Sequence, residues 1–140
     1  MELGIDIGSY FDEKKDHAKY YIKGKKVDPI QIFRNNGLTY ARMRLWVDPY
    51  DEKGHPYGGG TNDLKRTLKL SKILQKYGYK ILLDFHYSDF WADPGKQMIP
   101  KAWEGLNLEQ LITKVHDYTL EILKEFKKDK IVISAVQTGN

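Results

Sequence analysis

The chain switches repeatedly between two hydrophobic periods, and the switches mark out its elements. Residues 3–7 read as a short apolar strand closed by Gly8-Ser9. Asp28-Pro29 opens a helix, with the aspartate as N-cap and the proline in the first turn, and Gly37 after Asn36 ends it. Residues 39–47 alternate as a second strand, and residues 54–60 form a glycine-rich loop. Thr61 or Asn62 is expected to cap the next helix, which sets Leu64, Leu68, Ser71 and Leu74 on one face before Gly78 stops it. Residues 79–86 read as a third strand. In the helix that follows, Asn107 and Gln110 have the pattern of a capping box, and Leu106 with Leu111 that of a hydrophobic staple. Leu108, Leu111, Ile112, Val115, Thr119, Ile122, Leu123 and Phe126 then recur at helical spacing. Residues 130–138 make a fourth strand.

Strand alternating with helix, without a low-complexity linker, predicts one continuous α/β unit. Apolar residues on both faces of the third and fourth strands predict parallel strands covered by helices. Parity then sorts the charges. Arg42, Arg44 and Trp46 share a face opposite Ala41, Met43, Leu45 and Val47. Asp84 and His86 oppose Ile81, Leu83 and Phe85, and Asp6 opposes Leu3, Ile5 and Ile7. With the apolar faces against helices, Asp6, Arg42, Arg44, Asp84 and His86 converge on the other side. Buried charges must be paired, and a charged lining inside a ring of parallel strands is the layout of a (β/α)-barrel active site.

Composition narrows the classes. The 140 residues are 41% hydrophobic and 30% charged, the values of one globular domain. No run approaches the ~18 apolar residues of a membrane span. No charged-then-apolar leader precedes the first strand, so the compartment stays open. The absence of cysteine excludes disulfides and thiolate metal sites. The net charge of +4 falls in lysine groups such as Lys23, Lys25 and Lys26, or Lys127, Lys128 and Lys130, at helix ends and turns. No basic stripe accompanies it, which argues against nucleic acid as a partner.

The chemistry is concentrated in Asp84-Phe85-His86-Tyr87-Ser88-Asp89-Phe90-Trp91-Ala92-Asp93-Pro94-Gly95-Lys96-Gln97, a buried strand running into carboxylates, imidazole, phenol and indole. Trp91 is a candidate stacking platform for a pyranose face, or alternatively loop core. Trp46 and Trp103 are further cleft walls, or core. Asp93-Pro94-Gly95 is equally a turn signal. Asp84, His86, Asp89 and Asp93 also allow a second reading, as ligands of a divalent metal in a barrel hydrolase.

This segment closely resembles the signature of glycoside hydrolase family 53, the endo-β-1,4-galactanases. Gly4-Ile5-Asp6-Ile7-Gly8-Ser9, Arg42-Met43-Arg44-Leu45-Trp46-Val47-Asp48-Pro49 and Val136-Gln137-Thr138-Gly139-Asn140 agree in order and spacing. Phe90 and Thr138 depart from the residues usual there. The resemblance implies a retaining (β/α)8 TIM barrel, of which residues 1–140 would be the N-terminal half, about four βα units. It implies β-1,4-galactan as substrate and no cofactor. Asn140 matches the strand-four Asn that would bond the sugar 2-hydroxyl, with the acid/base Glu expected immediately after it and the nucleophile Glu on a later strand. Arg44 resembles the Arg that keeps that nucleophile ionised, and His86 would line the subsite floor as a donor to sugar or carboxylate. Tyr87, Asp89 and Asp93 would bond galactose, while Arg42 would pair with Asp6 or Asp84. Without either Glu, the isolated chain is expected to be inactive. A non-catalytic half-barrel is the alternative, binding galactan or self-associating through its exposed sheet edges.

Overall fold

The computed structural model describes residues 2–58 and 61–139. In chain order the elements are β1 (Gly4–Asp6), α1 (Tyr10–Lys15), β2 (Tyr20–Ile22), β3 (Lys25–Val27) and α2 (Pro29–Asn35). They continue with β4 (Tyr40–Leu45), α3 (Leu64–Lys76), β5 (Lys80–Phe85), α4 (Leu108–Lys128) and β6 (Ile133–Thr138), with a single 3-10 turn at Lys101–Trp103. Four strands form one parallel sheet in the order β1-β4-β5-β6, so each crossover returns the chain to the neighbouring position. A one-way order with a helix in every crossover is the construction of a (β/α) barrel wall.

Parity places the core as expected. Ala41, Met43 and Leu45 of β4 and Ile81, Leu83 and Phe85 of β5 are buried, and join Leu70, Leu74, Ile122 and Phe126 of the helices in one cluster. Helix α2 starts where Asp28 accepts a hydrogen bond from Ile30 N, with Pro29 in the first turn. Helix α4 starts with a complete capping box: Gln110 N donates to Asn107 and Asn107 N donates to Gln110. Such reciprocal caps satisfy two otherwise orphaned donors.

Several expectations need correcting. The cap of α3 is Asp63, not Thr61 or Asn62; its carboxylate accepts from Arg66 N at 2.7 Å. Thr61 and Asn62 are instead buried in the loop before it, where Asn62 O accepts from Trp46 N. The buried face of α3 is Thr67, Leu70, Ser71 and Leu74, and Leu64 and Leu68 are partly buried and packed against the same core, so the expected face is widened by Thr67 and Leu70. In α4, Leu108 and Ile112 are 73% and 62% exposed, because no described element covers that flank. The first crossover also holds the short helix α1 and the antiparallel ribbon β2–β3, neither of which the hydrophobic pattern revealed. The ribbon turns at Lys23-Gly24, both with positive φ, the geometry of a type I′ turn.

Candidate active site

Register brings the charged residues together. Asp6 lies beside Arg42, and Arg44 beside Asp84, which in turn lies beside Gln137. Arg42 is the hub: its guanidinium donates to Asp6 at 2.6 Å, to Asp84 at 2.5 Å and, through Nε, to Gln137 Oε1 at 3.2 Å. Arg42 therefore pairs with both carboxylates named as alternatives for it. Asp84 is fully buried, and its Oδ2 also accepts from His86 Nε2 at 2.9 Å; its Oδ1 has no partner.

Both imidazole nitrogens of His86 are engaged. Trp46 Nε1 donates to Nδ1 at 3.1 Å, and Ala92 N donates to the same atom at 3.3 Å. An indole N–H can only donate, so Nδ1 presents its lone pair and the hydrogen sits on Nε2, directed at Asp84. His86 is 4% exposed. It thus joins Trp46 to Asp84, and of the two acceptors expected for it, sugar or carboxylate, the hydrogen on Nε2 is directed at the carboxylate of Asp84.

Arg44 is 7% exposed and pairs with Asp6 at 3.0 Å. The Trp91 ring covers its guanidinium at 4.0 Å, and Nε has no partner. Burial pushes the Arg44 pKa down, opposed by the Asp6 charge, though a guanidinium stays charged. Gly8 closes the other side: a Cβ there would lie 2.6 Å from Asn62 Oδ1 and 3.2 Å from Arg44 Nη2. Trp91 meets Trp46 edge-on and remains 39% exposed. One side of its indole stabilises the cation while its free surface still faces solvent. Trp46, at 1% exposed, is core, whereas Trp103, at 3% exposed, is buried in the wall of a cleft.

Three residues expected to bond sugar are otherwise engaged. The Tyr87 hydroxyl is hydrogen-bonded to Thr119 of α4 at 2.9 Å and its ring stacks on Phe85. Asp89 accepts from Asp48 N and Lys101 N, both at 2.9 Å, tying two loops together. Asp93 accepts from Gly95 N at 2.7 Å and shapes its own turn, the alternative already contained in Asp93-Pro94-Gly95. Asn140 lies outside the described residues. Among the described residues no three His, Asp or Glu side chains converge as a metal site, and Asp89 and Asp93 are held by loop backbone.

The motif loop, the start of α4 and the end of β6 enclose a cleft of about 580 Å³, lined among others by His86, Tyr87, Trp103 and Gly139. It lies at the carboxyl ends of β5 and β6, where parallel βα folds place their active sites. Gln137 and Gly8 belong to the site but carried no individual signal in the sequence, since neither a strand Gln nor a glycine after a strand specifies a partner.

A parallel βα sheet with paired charges on one face and an indole over an arginine at the strand ends has the layout of a βα-type enzyme site. The comparisons specify which. The family model for glycosyl hydrolase family 53 matches residues 2–140, and the chain belongs to that family. It is 40% identical over 138 residues to an endo-beta-1,4-galactanase of Bacillus subtilis, covering 98% of this chain and 32% of that protein. It is 39% identical over 140 residues to an arabinogalactan endo-beta-1,4-galactanase of Cellvibrio japonicus, covering 99% of this chain and 35% of that protein. Among solved structures, the GH53 catalytic domain of Ignisphaera aggregans superposes with a TM-score of 0.93 at 40% identity, over 99% of this chain and 39% of that one. A fungal β-1,4-galactanase superposes with a TM-score of 0.88 at 28% identity, covering 100% of this chain and 40% of that one. The chain thus spans about a third of the length of the curated relatives it matches.

Proposed function

We propose that this chain is the first four βα units of a (β/α)8 galactanase, and that the protein containing it hydrolyses β-1,4-galactan with retention. The observation that carries this reading is the Asp6–Arg42–Asp84–His86 lattice with Arg44 laid against Trp91, on the inner face of a family 53 sheet. Retaining hydrolysis uses two carboxyl groups ~5–5.5 Å apart, one as acid/base and one as nucleophile. Asp6 and Asp84 are both clasped by Arg42 and suit neither role. In this reading, as the family resemblance implies, the reacting carboxylates lie outside these 140 residues, one directly after Asn140 and one on a later strand.

In this reading the lattice is scaffold and field. Arg42 fixes β1, β4, β5 and β6 relative to one another through Asp6, Asp84 and Gln137. Arg44 supplies the positive charge that keeps the nucleophile ionised, Asn140 bonds the 2-hydroxyl, and the exposed side of Trp91 carries a galactose ring. The open edge of β6 and the uncovered Leu108, Ile112, Val132 and Val136 are where the continuing chain packs. The test is digestion of β-1,4-galactan by the longer protein, followed by proton NMR of the first products. The β-anomer should appear first. An α-anomer, or activity on other β-linked polysaccharides without activity on galactan, overturns the reading.

A further inference from the structure

The ribbon β2–β3 contributes nothing to the sheet. None of its residues belongs to the hydrophobic core, and an isolated hairpin is marginal in water. It lies in a lysine-rich stretch that begins in α1. Residues 14–26 contain Lys14, Lys15, Lys19, Lys23, Lys25 and Lys26 against one carboxylate, Asp16, a surplus larger than the net +4 of the whole chain.

Between α1, this ribbon and the start of α2 lies a cleft of about 610 Å³, within the range of small-ligand sites. Tyr10, Tyr20 and Pro29 contribute its walls and Lys14, Lys19 and Lys26 are exposed along it. The phenols are fixed: Tyr10 donates to Asp28 at 3.3 Å, and Tyr20 donates to Glu13. Lys14 Nζ sits 4.8 Å from the centre of the Tyr10 ring. Asp28, the carboxylate in the lining, accepts from Tyr10 and from Ile30 N and offsets part of the charge of Lys14, so the surplus positive charge along the cleft falls to Lys19 and Lys26.

We propose that this cleft binds a carboxylate-bearing oligosaccharide, separately from the charged lattice at the strand ends. Ammonium groups attract carboxylates, and the partly exposed ring of Tyr20, fixed through its hydroxyl, suits the apolar face of a pyranose ring. Phosphate polymers are better served by the planar forks of arginine, and residues 14–26 contain none. An anionic membrane would meet the lysines but has no use for a tyrosine-walled cleft.

The test is titration of the isotope-labelled chain with a galacturonate trisaccharide, with galactotriose, a DNA oligonucleotide and phosphatidylserine vesicles in parallel. Saturable amide shifts confined to the segment from Tyr10 to Ile30 are expected for the acidic trisaccharide. Raising salt from about 20 to about 300 mM should weaken binding about fivefold or more, and galactotriose should bind at least about tenfold more weakly. The double substitution Lys19→Gln/Lys26→Gln, at exposed positions, should abolish saturation while leaving shifts elsewhere unchanged. Equal binding of both trisaccharides, absence of shifts in this segment, or tighter binding of DNA or vesicles overturns the proposal.

Discussion

Replacing Asp84 by alanine tests the lattice where it is most deeply buried. Asp84 is fully buried and its Oδ2 accepts from Arg42 at 2.5 Å and from His86 at 2.9 Å. Truncation leaves a buried His86 N–H without an acceptor, a cost of about 1–3 kcal/mol. It also removes one counter-charge from Arg42, and breaking a buried pair costs about 3–5 kcal/mol when nothing else compensates. Here compensation is substantial: the Arg42 side chain is 29% exposed and keeps Asp6 and Gln137. The loss of a small cavity's packing adds a little, and the unpartnered Oδ1 of the wild type subtracts a little. The net expectation is a destabilisation of about 3 kcal/mol. Urea unfolding followed by fluorescence measures it, with the m-value as a check that the unfolded state is unchanged. In a cycle with Arg42→Ala, the coupling between the two sites should be at least about 1 kcal/mol. A loss below about 1 kcal/mol for Asp84→Ala, or additive single effects, refutes the argument that these charges form one network.

Other outcomes follow from the same contacts. Gly8→Ala should displace Asn62 and Arg44, lowering stability by about 1–3 kcal/mol and moving the Arg44 Nε–H resonance. Trp91→Leu removes the surface under Arg44 and should cost about 0.5–1 kcal/mol, since Trp91 is partly exposed; no change in stability or in the Arg44 signal contradicts the contact. Ile112→Lys in the isolated chain should change stability by less than about 0.5 kcal/mol, whereas Phe126→Ala, at 1% exposed, should cost about 3–5 kcal/mol. Alkaline stability should fall between pH 10 and 12. Burial and then the Asp63 hydrogen bond raise Tyr50 from 10.0 to about 12, and burial raises Tyr118 further. The unfolded state therefore loses these protons first, and the stability they contribute below pH 10 disappears as pH rises through the folded value. Tyrosinate absorbance that titrates with a single midpoint near pH 10, without unfolding, contradicts this.

What the sequence revealed was periodic or covalently local. Parity in β4 and β5 predicted both the core face and the convergence of Asp6, Arg42, Arg44, Asp84 and His86, because period two fixes which side of a pleated strand each residue occupies. Asp28-Pro29 and the Asn107–Gln110 box were readable because caps are made within a few residues. The ribbon β2–β3 escaped because its strands have three residues each and its best mark is the Lys23-Gly24 turn. Asp63 was passed over for Thr61 and Asn62 because all three are good caps, and only the chain path distinguishes them. Leu108 and Ile112 fit the helical period yet are exposed, since periodicity identifies a face without saying what covers it. The engagements of Tyr87 and Asp89 depend on partners far away in sequence, such as Thr119 and Asp48, and no local pattern encodes those, whereas the turn shaped by Asp93 was legible in Asp93-Pro94-Gly95.

The measurement that bears most directly on the account is reducing-end release from β-1,4-galactan by the purified 140-residue chain, set beside the longer protein that contains it. The account predicts no turnover by the short chain and ready hydrolysis by the longer one, lost when the Glu expected after Asn140 is changed to Gln. Appreciable cleavage by the sequence-verified 140-residue chain would contradict it, because the reacting carboxylates would then have to lie among residues assigned here to the scaffold.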